Sequence, residues 1–218
     1  MDDSATGSHI FKLDYNDYKD DCFYNLFQTK VSLEGLKWDY NYSEKGKITR
    51  ASAWYTQRGC KCEYDYGNKS WGSHEFLPWM DVFCKDLGKF LNLQREPNAM
   101  NFNRYDSGEQ SLGFHSDDEE LFKDLAGEST IVSLSFGAER NFEIKHMFSH
   151  SADFNELLKE GDILVMSGRT QHHYKHAIPK HAAFYSSTML GQPQIRYNIT
   201  CRFIHRHTDK CKQSGASR

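Results

Sequence analysis

Three segments of this chain carry side chains able to hold a metal or an anion. The first is His115-Ser116-Asp117. In an extended strand, residues i and i+2 point the same way, so this imidazole and carboxylate would converge on one face. One further histidine would complete a two-His, one-carboxylate triad of the kind that holds non-haem iron(II) and leaves positions open. Those positions matter because the metal must take both a chelating ligand and O2. By itself the signal is weak, because a chain with 11 histidines is expected to contain a chance match. A second match, His207-Thr208-Asp209, lies near the end with no histidine after it and reads as that chance case.

Downstream, residues 170–179 offer His172, His173 and His176 as the third ligand, and spacing does not separate them. The two that are not ligands are expected to be surface or hydrogen-bonding histidines. In the third segment, Arg196, Asn198, Thr200 and Arg202 alternate with Tyr197, Ile199, Cys201 and Phe203. A half-buried strand with its polar face in water would look like this. So would a polar face lining a barrel, where a guanidinium could pair bidentately with a dicarboxylate. Asn103 and Tyr105 share a strand face just before the His-x-Asp and could hydrogen-bond the same ligand.

Positioning these groups falls to a run of strands after Pro97. Segments 101–105, 131–136, 141–146, 162–167 and 195–204 are short, β-rich and bounded by turn residues. Gly137-Ala138-Glu139-Arg140 and Glu160-Gly161-Asp162 read as hairpin turns. Another hairpin is expected between 51–55 and 62–66, turning near Gln57-Arg58-Gly59. Before them, Tyr18, Cys22, Phe23, Leu26 and Phe27 recur at helical spacing. Phe76, Leu77, Met80, Phe83, Leu87, Phe90 and Leu91 form a second helical stripe, with Ser73 as its cap and Pro78 tolerated early. Helices followed by strands predict an α+β fold that is mainly β, a jelly roll with helices on one face. Residues 1–16 are expected to be flexible, 17–206 to form one domain, and 207–218 to be a solvated tail.

Composition narrows the setting. With 218 residues the chain can bury a core unaided, and its 14% aromatics supply bulk for that core and for a planar ligand. No stretch is apolar enough to span a bilayer, and the acidic start lacks a signal core. A soluble intracellular protein, nuclear or cytoplasmic, monomeric and without membrane association, is expected. Six scattered cysteines read as reduced thiols. The closest pair, Cys60 and Cys62, is separated by one residue, whereas zinc pairs usually have two to four between them. A net charge of −3 does not announce a nucleic-acid binder, although a local basic groove would suffice.

Together these segments resemble the AlkB family of 2-oxoglutarate dioxygenases, most of all its eukaryotic DNA/RNA repair branch. The likeness runs from about Thr49 to Phe203. Asn103-Arg104-Tyr105 resembles the family's Asn-x-Tyr, and His115-Ser116-Asp117-Asp118-Glu119 its metal motif with trailing acids. Leu134-Ser135-Phe136-Gly137-Ala138, followed by Arg140 and Phe142-Glu143, is similar to a strand pair of this branch. His176-Ala177-Ile178-Pro179-Lys180 is similar to the distal histidine segment, and this likeness selects His176. Arg196-x-Asn198-x-x-x-Arg202 matches the closing motif.

The resemblance implies the double-stranded β-helix, with His115, Asp117 and His176 on Fe(II). It implies Arg196 on the distal carboxylate of 2-oxoglutarate, helped by Asn103 and Tyr105, with Asn198 and Arg202 fixing the co-substrate and the iron surroundings. It places Glu119 at the damaged base. It makes the segment of Trp54, Tyr55, Arg58, Tyr64 and Tyr66 a nucleotide-recognition hairpin, with Tyr64 and Tyr66 as stacking candidates and His115 as a possible opposite face. Ordinary aromatic pairing across strands would account for the same tyrosines. The implied reaction is oxidative demethylation of bases such as 1-methyladenine and 3-methylcytosine in DNA or RNA. It requires Fe(II), 2-oxoglutarate and O2, and it releases succinate, CO2 and formaldehyde. A base in a duplex must first leave the stack, and each base–aromatic contact offsets that by roughly 1–3 kcal/mol. The tip 57–62 and Thr49-Arg50, where a Pro-Arg is expected, depart from the family pattern and leave strand preference open. Competing expectations are a dioxygenase acting on a protein or lipid side chain or on a modified RNA base, a reader of methylated bases without catalysis, and a zinc-binding cupin-like module.

Overall fold

The computed structural model describes residues 1–19, 33, 36–42, 44, 46, 48–66, 69–180, 195–209 and 211. The strands are β1 (Asp2–Asp3), β2 (Ser8–Leu13), β3 (Asp39–Tyr42), β4 (Ile48–Thr56), β5 (Tyr64–Tyr66), β6 (Lys69–Trp71), β7 (His74–Glu75) and β8 (Ala99–Tyr105). They continue as β9 (Leu112–His115), β10 (Ile131–Gly137), β11 (Arg140–His146), β12 (Phe154–Leu158), β13 (Ile163–Gly168), β14 (Tyr174–Ile178) and β15 (Arg196–Arg202). Among the described residues the α-helices are α1 (Tyr15–Tyr18), α2 (Pro78–Phe90) and α3 (Thr170–His173).

Among the described residues the large sheet runs β1-β2-β13-β10-β15-β8-β4-β3, with β7 parallel to β4. A smaller sheet, β12-β11-β14-β9, faces it. This is the expected jelly roll. Strand alternation divides its interior cleanly. On β8, Met100 and Phe102 point outward to pack with Met80, Phe83 and Leu87 of α2. The residues between them, Asn101, Asn103 and Tyr105, point between the sheets. On β15, Ile199 and Cys201 likewise join the α2 layer, while Arg196, Asn198, Thr200 and Arg202 face inward. Phe142, Ile144, Leu164, Met166 and Ile178 form the apolar filling between the two sheets.

Five expected strands appear with ends within two residues. Several connections differ from expectation. Strands β10 and β11 lie in different sheets, as do β12 and β13, so 137–140 and 160–162 are arches across the sandwich rather than hairpin turns. Gly137 makes the first arch possible. Its φ is +74°, and a Cβ there would collide with the Ile195 carbonyl oxygen. Strand β4 does not pair with 62–66. It pairs with β3 and β8, while β5 pairs with β6 to form the separate hairpin. Strand β4 carries Ala51, Ala53 and Tyr55 toward the core, and that burial is satisfied in the centre of a sheet, not in an isolated ribbon.

Helix α2 begins at Pro78, with Leu77 rather than Ser73 at its N-cap; Ser73 Oγ instead donates to the Cys60 carbonyl. It ends where Asn92 takes a positive φ of 49° and the Leu93 amide returns to the Gly88 carbonyl. The first sixteen residues are not loose. Strand β2 pairs with β13 along its whole length, and Ile10 is buried between the sheets. Of the helix expected over 17–28, residues 20–28 lie outside the described residues.

Candidate metal centre

Antiparallel pairing of β9 with β14 places His115 directly opposite His176. A bulge just beyond that pair adds one residue to β9 and re-aims its end. The two imidazole centroids are 4.2 Å apart, and Phe142 stacks on His176 at 5.3 Å. Asp117 lies past the end of β9, so it reaches the histidines by a turn of the chain and not by strand alternation. Two hydrogen bonds fix that turn: Ser116 Oγ donates to the Tyr174 carbonyl at 3.0 Å, and the Asp117 amide donates to Gln171 Oε1 at 2.9 Å. Asp117 Oδ1 is then 3.7 Å from His115 Nε2, and Oδ2 is 4.0 Å from His176 Nε2. A ligand atom from each of the three residues falls within 4.8 Å of the others.

The electrostatics suit a cation. The His115 Nδ1 donates to the Gly113 carbonyl at 2.9 Å, which leaves Nε2 as the lone-pair nitrogen toward Asp117. Burial lowers the His115 pKa and pushes His176 down to about 3, so both rings are neutral donors at physiological pH. Burial opposes ionisation of Asp117, but Arg202 and the two imidazoles outweigh it and hold the carboxyl at about 2. Arg202 Nη2 donates to Asp117 Oδ2 at 2.7 Å, and its guanidinium lies 4.7 Å from the Tyr64 ring centroid and 5.0 Å from that of Phe122. Among the described residues no donor reaches the buried Asp117 Oδ1. An anionic oxygen left bare beside two neutral imidazoles fits a divalent cation.

Across the cavity that these residues line, β15 supplies the second charge. Arg196 is 1% exposed, and its Nη2 donates to Ser135 Oγ at 3.2 Å. Its Nε and Nη1 have no acceptor among the described residues. Burial lowers its pKa to about 10. A buried guanidinium with two idle donors calls for an anionic ligand, and a dicarboxylate such as 2-oxoglutarate matches it. The Tyr105 ring centroid lies 5.5 Å from both Arg196 and Arg140. Arg140 Nη2 donates to the Gln110 carbonyl, which pins the loop before β9.

Not every expected site residue turns toward this cavity. Asn103 lines it, but its Oδ1 already accepts from Arg50 Nε at 2.9 Å. The Asn198 amide donates to Ser133 Oγ and the Leu134 carbonyl, so it stiffens the wall. Tyr64 lines the cavity beside Arg202. Trp54 is buried behind it, 5.2 Å from the Tyr64 ring, with its Nε1 donating to the Cys62 carbonyl. Tyr55 points to the opposite face of the sheet, into the α2 layer, because it is one residue out of phase with Trp54. Arg58 is exposed on the α2 side near Asp81 and does not line the cavity. The side chain of Tyr66 lies outside the described residues. Glu119 is half-buried and lines not this cavity but a neighbouring pocket that shares Tyr64 with it, and burial together with Asp117 pushes its carboxyl up to about 7. Arg50 and Asn101 are site residues that the sequence pattern does not single out. Asn101 is accessible by alternation from Asn103. Arg50 is not, because only the pairing of β4 with β8 carries it there.

Comparison with known proteins follows the same line. Residues 26–202 match the 2OG-Fe(II) oxygenase superfamily model. The DNA oxidative demethylase ALKBH2 of Bos taurus is 36% identical over 111 residues, which is 47% of this chain and 38% of that one. The alpha-ketoglutarate-dependent dioxygenase alkB homolog 3 of Rattus norvegicus is 33% identical over 180 residues, 78% of this chain and 54% of that one. This chain thus spans about half, or less, of the length of these relatives. The solved OsALKBH1 structure superposes with a TM-score of 0.55 at 18% identity, covering 90% of this chain and 97% of that one, a likeness of fold. The chain belongs to the 2OG-Fe(II) oxygenase superfamily, as an AlkB-type member.

Proposed function

We propose that this chain oxidatively demethylates N-alkylated bases of DNA or RNA, such as 1-methyladenine and 3-methylcytosine. The observation carrying this reading is the convergence of His115, Asp117 and His176 opposite the unpaired donors of Arg196. His115, Asp117 and His176 would hold Fe(II), and Arg196 would bind the distal carboxylate of 2-oxoglutarate. When bound, that pair and O2 supply the oxidising power that turns an N-methyl group into formaldehyde, leaving succinate and CO2. Tyr105 and Arg50 give the cavity polar walls, and Phe142, Met166 and Ile178 exclude water from it.

Arg202 keeps Asp117 ionised and oriented. Tyr64 lines both the cavity of the metal triad and the neighbouring pocket of Glu119, where that carboxylate could meet a cationic base. Incubation with Fe(II), 2-oxoglutarate and oligonucleotides bearing each methylated base, in DNA and RNA and in single and double strands, tests the reading. Formaldehyde should form with at least one oligonucleotide and not with methylated peptides. Release from peptides alone would contradict it. Glu119→Ala should reduce base turnover more than uncoupled decay of 2-oxoglutarate, and equal losses would remove the residue from base contact.

A further inference from the structure

A second cluster of ligand-type side chains lies behind Tyr64, outside the iron cavity. Cys60 and Cys62 belong to the connection from β4 to β5, and His207 and Cys211 to the chain after β15. The three sulfurs and a ring nitrogen of His207 all lie within 4.8 Å of one another. His207 Nδ1 is 3.7 Å from Cys60 Sγ, 3.6 Å from Cys62 Sγ and 3.1 Å from Cys211 Sγ. A tetrahedral zinc with sulfur at about 2.3 Å and nitrogen at about 2.0–2.1 Å sets each nitrogen–sulfur edge at roughly 3.6 Å. Two of the three observed edges agree with that spacing and the third is short.

The surroundings are those of a closed site. Cys62 and Cys211 are 0% exposed and Cys60 7%, packed among Trp54, Tyr64, Phe122 and Ile204. None of the three is in a disulfide among the described residues. The Thr208 amide points at Cys62 Sγ from 3.4 Å, the kind of N–H···S contact that orients a metal-bound thiolate. A turn closed by the Cys211 amide on the Thr208 carbonyl brings His207 and Cys211 to one side. Two sequence expectations change as a result. The one-residue spacing of Cys60 and Cys62 does not exclude a zinc site, because the other two ligands come from far along the chain. His207 and Cys211, expected in a solvated tail, instead pack beside Cys60 and Cys62.

We propose that Cys60, Cys62, His207 and Cys211 bind one zinc ion, forming a structural site that fastens the chain after β15 to the connection leading into β5. Three sulfurs and one imidazole are a donor set that selects zinc over magnesium, calcium or manganese. With all four positions filled by protein, the ion has no place for substrate and its effect is mechanical. Tyr64 follows Cys62 by two residues, lines the iron cavity and packs against Arg202, so the ion would hold that part of the cavity wall from behind.

Elemental analysis of the full chain, purified under reducing conditions and reconstituted with zinc, tests the site. His115→Ala serves as the background that disables the iron triad. One zinc per chain should remain in His115→Ala and be lost in Cys62→Ser and Cys211→Ser. Cobalt(II) in the His115→Ala chain should show thiolate-to-cobalt charge transfer and the intense bands of a tetrahedral site. His207→Cys should keep those bands and strengthen the charge transfer, a gain that packing alone would not produce. The proposal fails if the folded His115→Ala chain shows no thiolate–cobalt band, or if Cys62→Ser and Cys211→Ser keep their zinc. It also fails if thiol titration finds these cysteines joined in a disulfide.

Discussion

At the scale of single residues, the site is a balance of buried charges. Asp117 is 2% exposed and remains an anion because Arg202 touches one of its oxygens. Removing one partner of a buried pair leaves a lone charge, which typically costs about 3–5 kcal/mol. Arg202→Met should therefore destabilise the metal-free protein by about 3 kcal/mol or more, read by urea unfolding. Iron would restore a positive neighbour for Asp117, so the loss should shrink in the iron-loaded protein. Equal losses in both forms would mean that Arg202 acts elsewhere. The sequence exposes most of this residue-level chemistry. The alternation of Arg196, Asn198, Thr200 and Arg202 survives intact in β15, because a strand's period of two depends only on local backbone geometry. The choice among His172, His173 and His176 is not local. It depends on which residue of β14 pairs with His115 across the sheet. His172 turns away and meets the Gly127 carbonyl through Nε2.

At the scale of elements, the connections between strands carry information that strand pattern does not. Hydrophobic alternation locates β8, β10, β11, β13 and β15, yet it cannot say which strands pair. The arch at Gly137 reads like a hairpin turn in sequence, and only the close approach of Ile195 shows that the chain is crossing between sheets. Gly137→Ala should cost about 1–3 kcal/mol through the left-handed backbone and the steric clash. It should also weaken 2-oxoglutarate binding, since Gly137 is the β-partner of Arg196. A variant with unchanged stability and binding would show that the arch adapts without strain. The hairpin β5–β6 escapes the sequence pattern for the same reason: 62–66 carries the right residues for a strand, but its partner is the following segment and not β4.

At the scale of the whole molecule, the large sheet separates two environments. Its outer face packs on α2 through Leu87, Met80 and Phe102, and its inner face presents the polar residues of the cavity. Support and chemistry thus occupy opposite sides of the same strands. Leu87→Ala should destabilise the fold by about 2–5 kcal/mol while leaving iron and 2-oxoglutarate affinity near wild type, provided the folded fraction is measured. A large loss of affinity in the folded variant would mean that the two faces are coupled. Among the described residues no helix is long and apolar enough to cross a membrane. The most direct test of the iron and keto-acid assignment is anaerobic calorimetry of 2-oxoglutarate binding to the Fe(II)-loaded chain, compared with His176→Ala and Arg196→Met. Binding should be lost or severely weakened when His176 is removed, and reduced roughly ten- to a hundredfold when Arg196 loses its charge-assisted hydrogen bonds. Wild-type affinity in both variants would contradict the assignment of this cavity to iron and the keto acid.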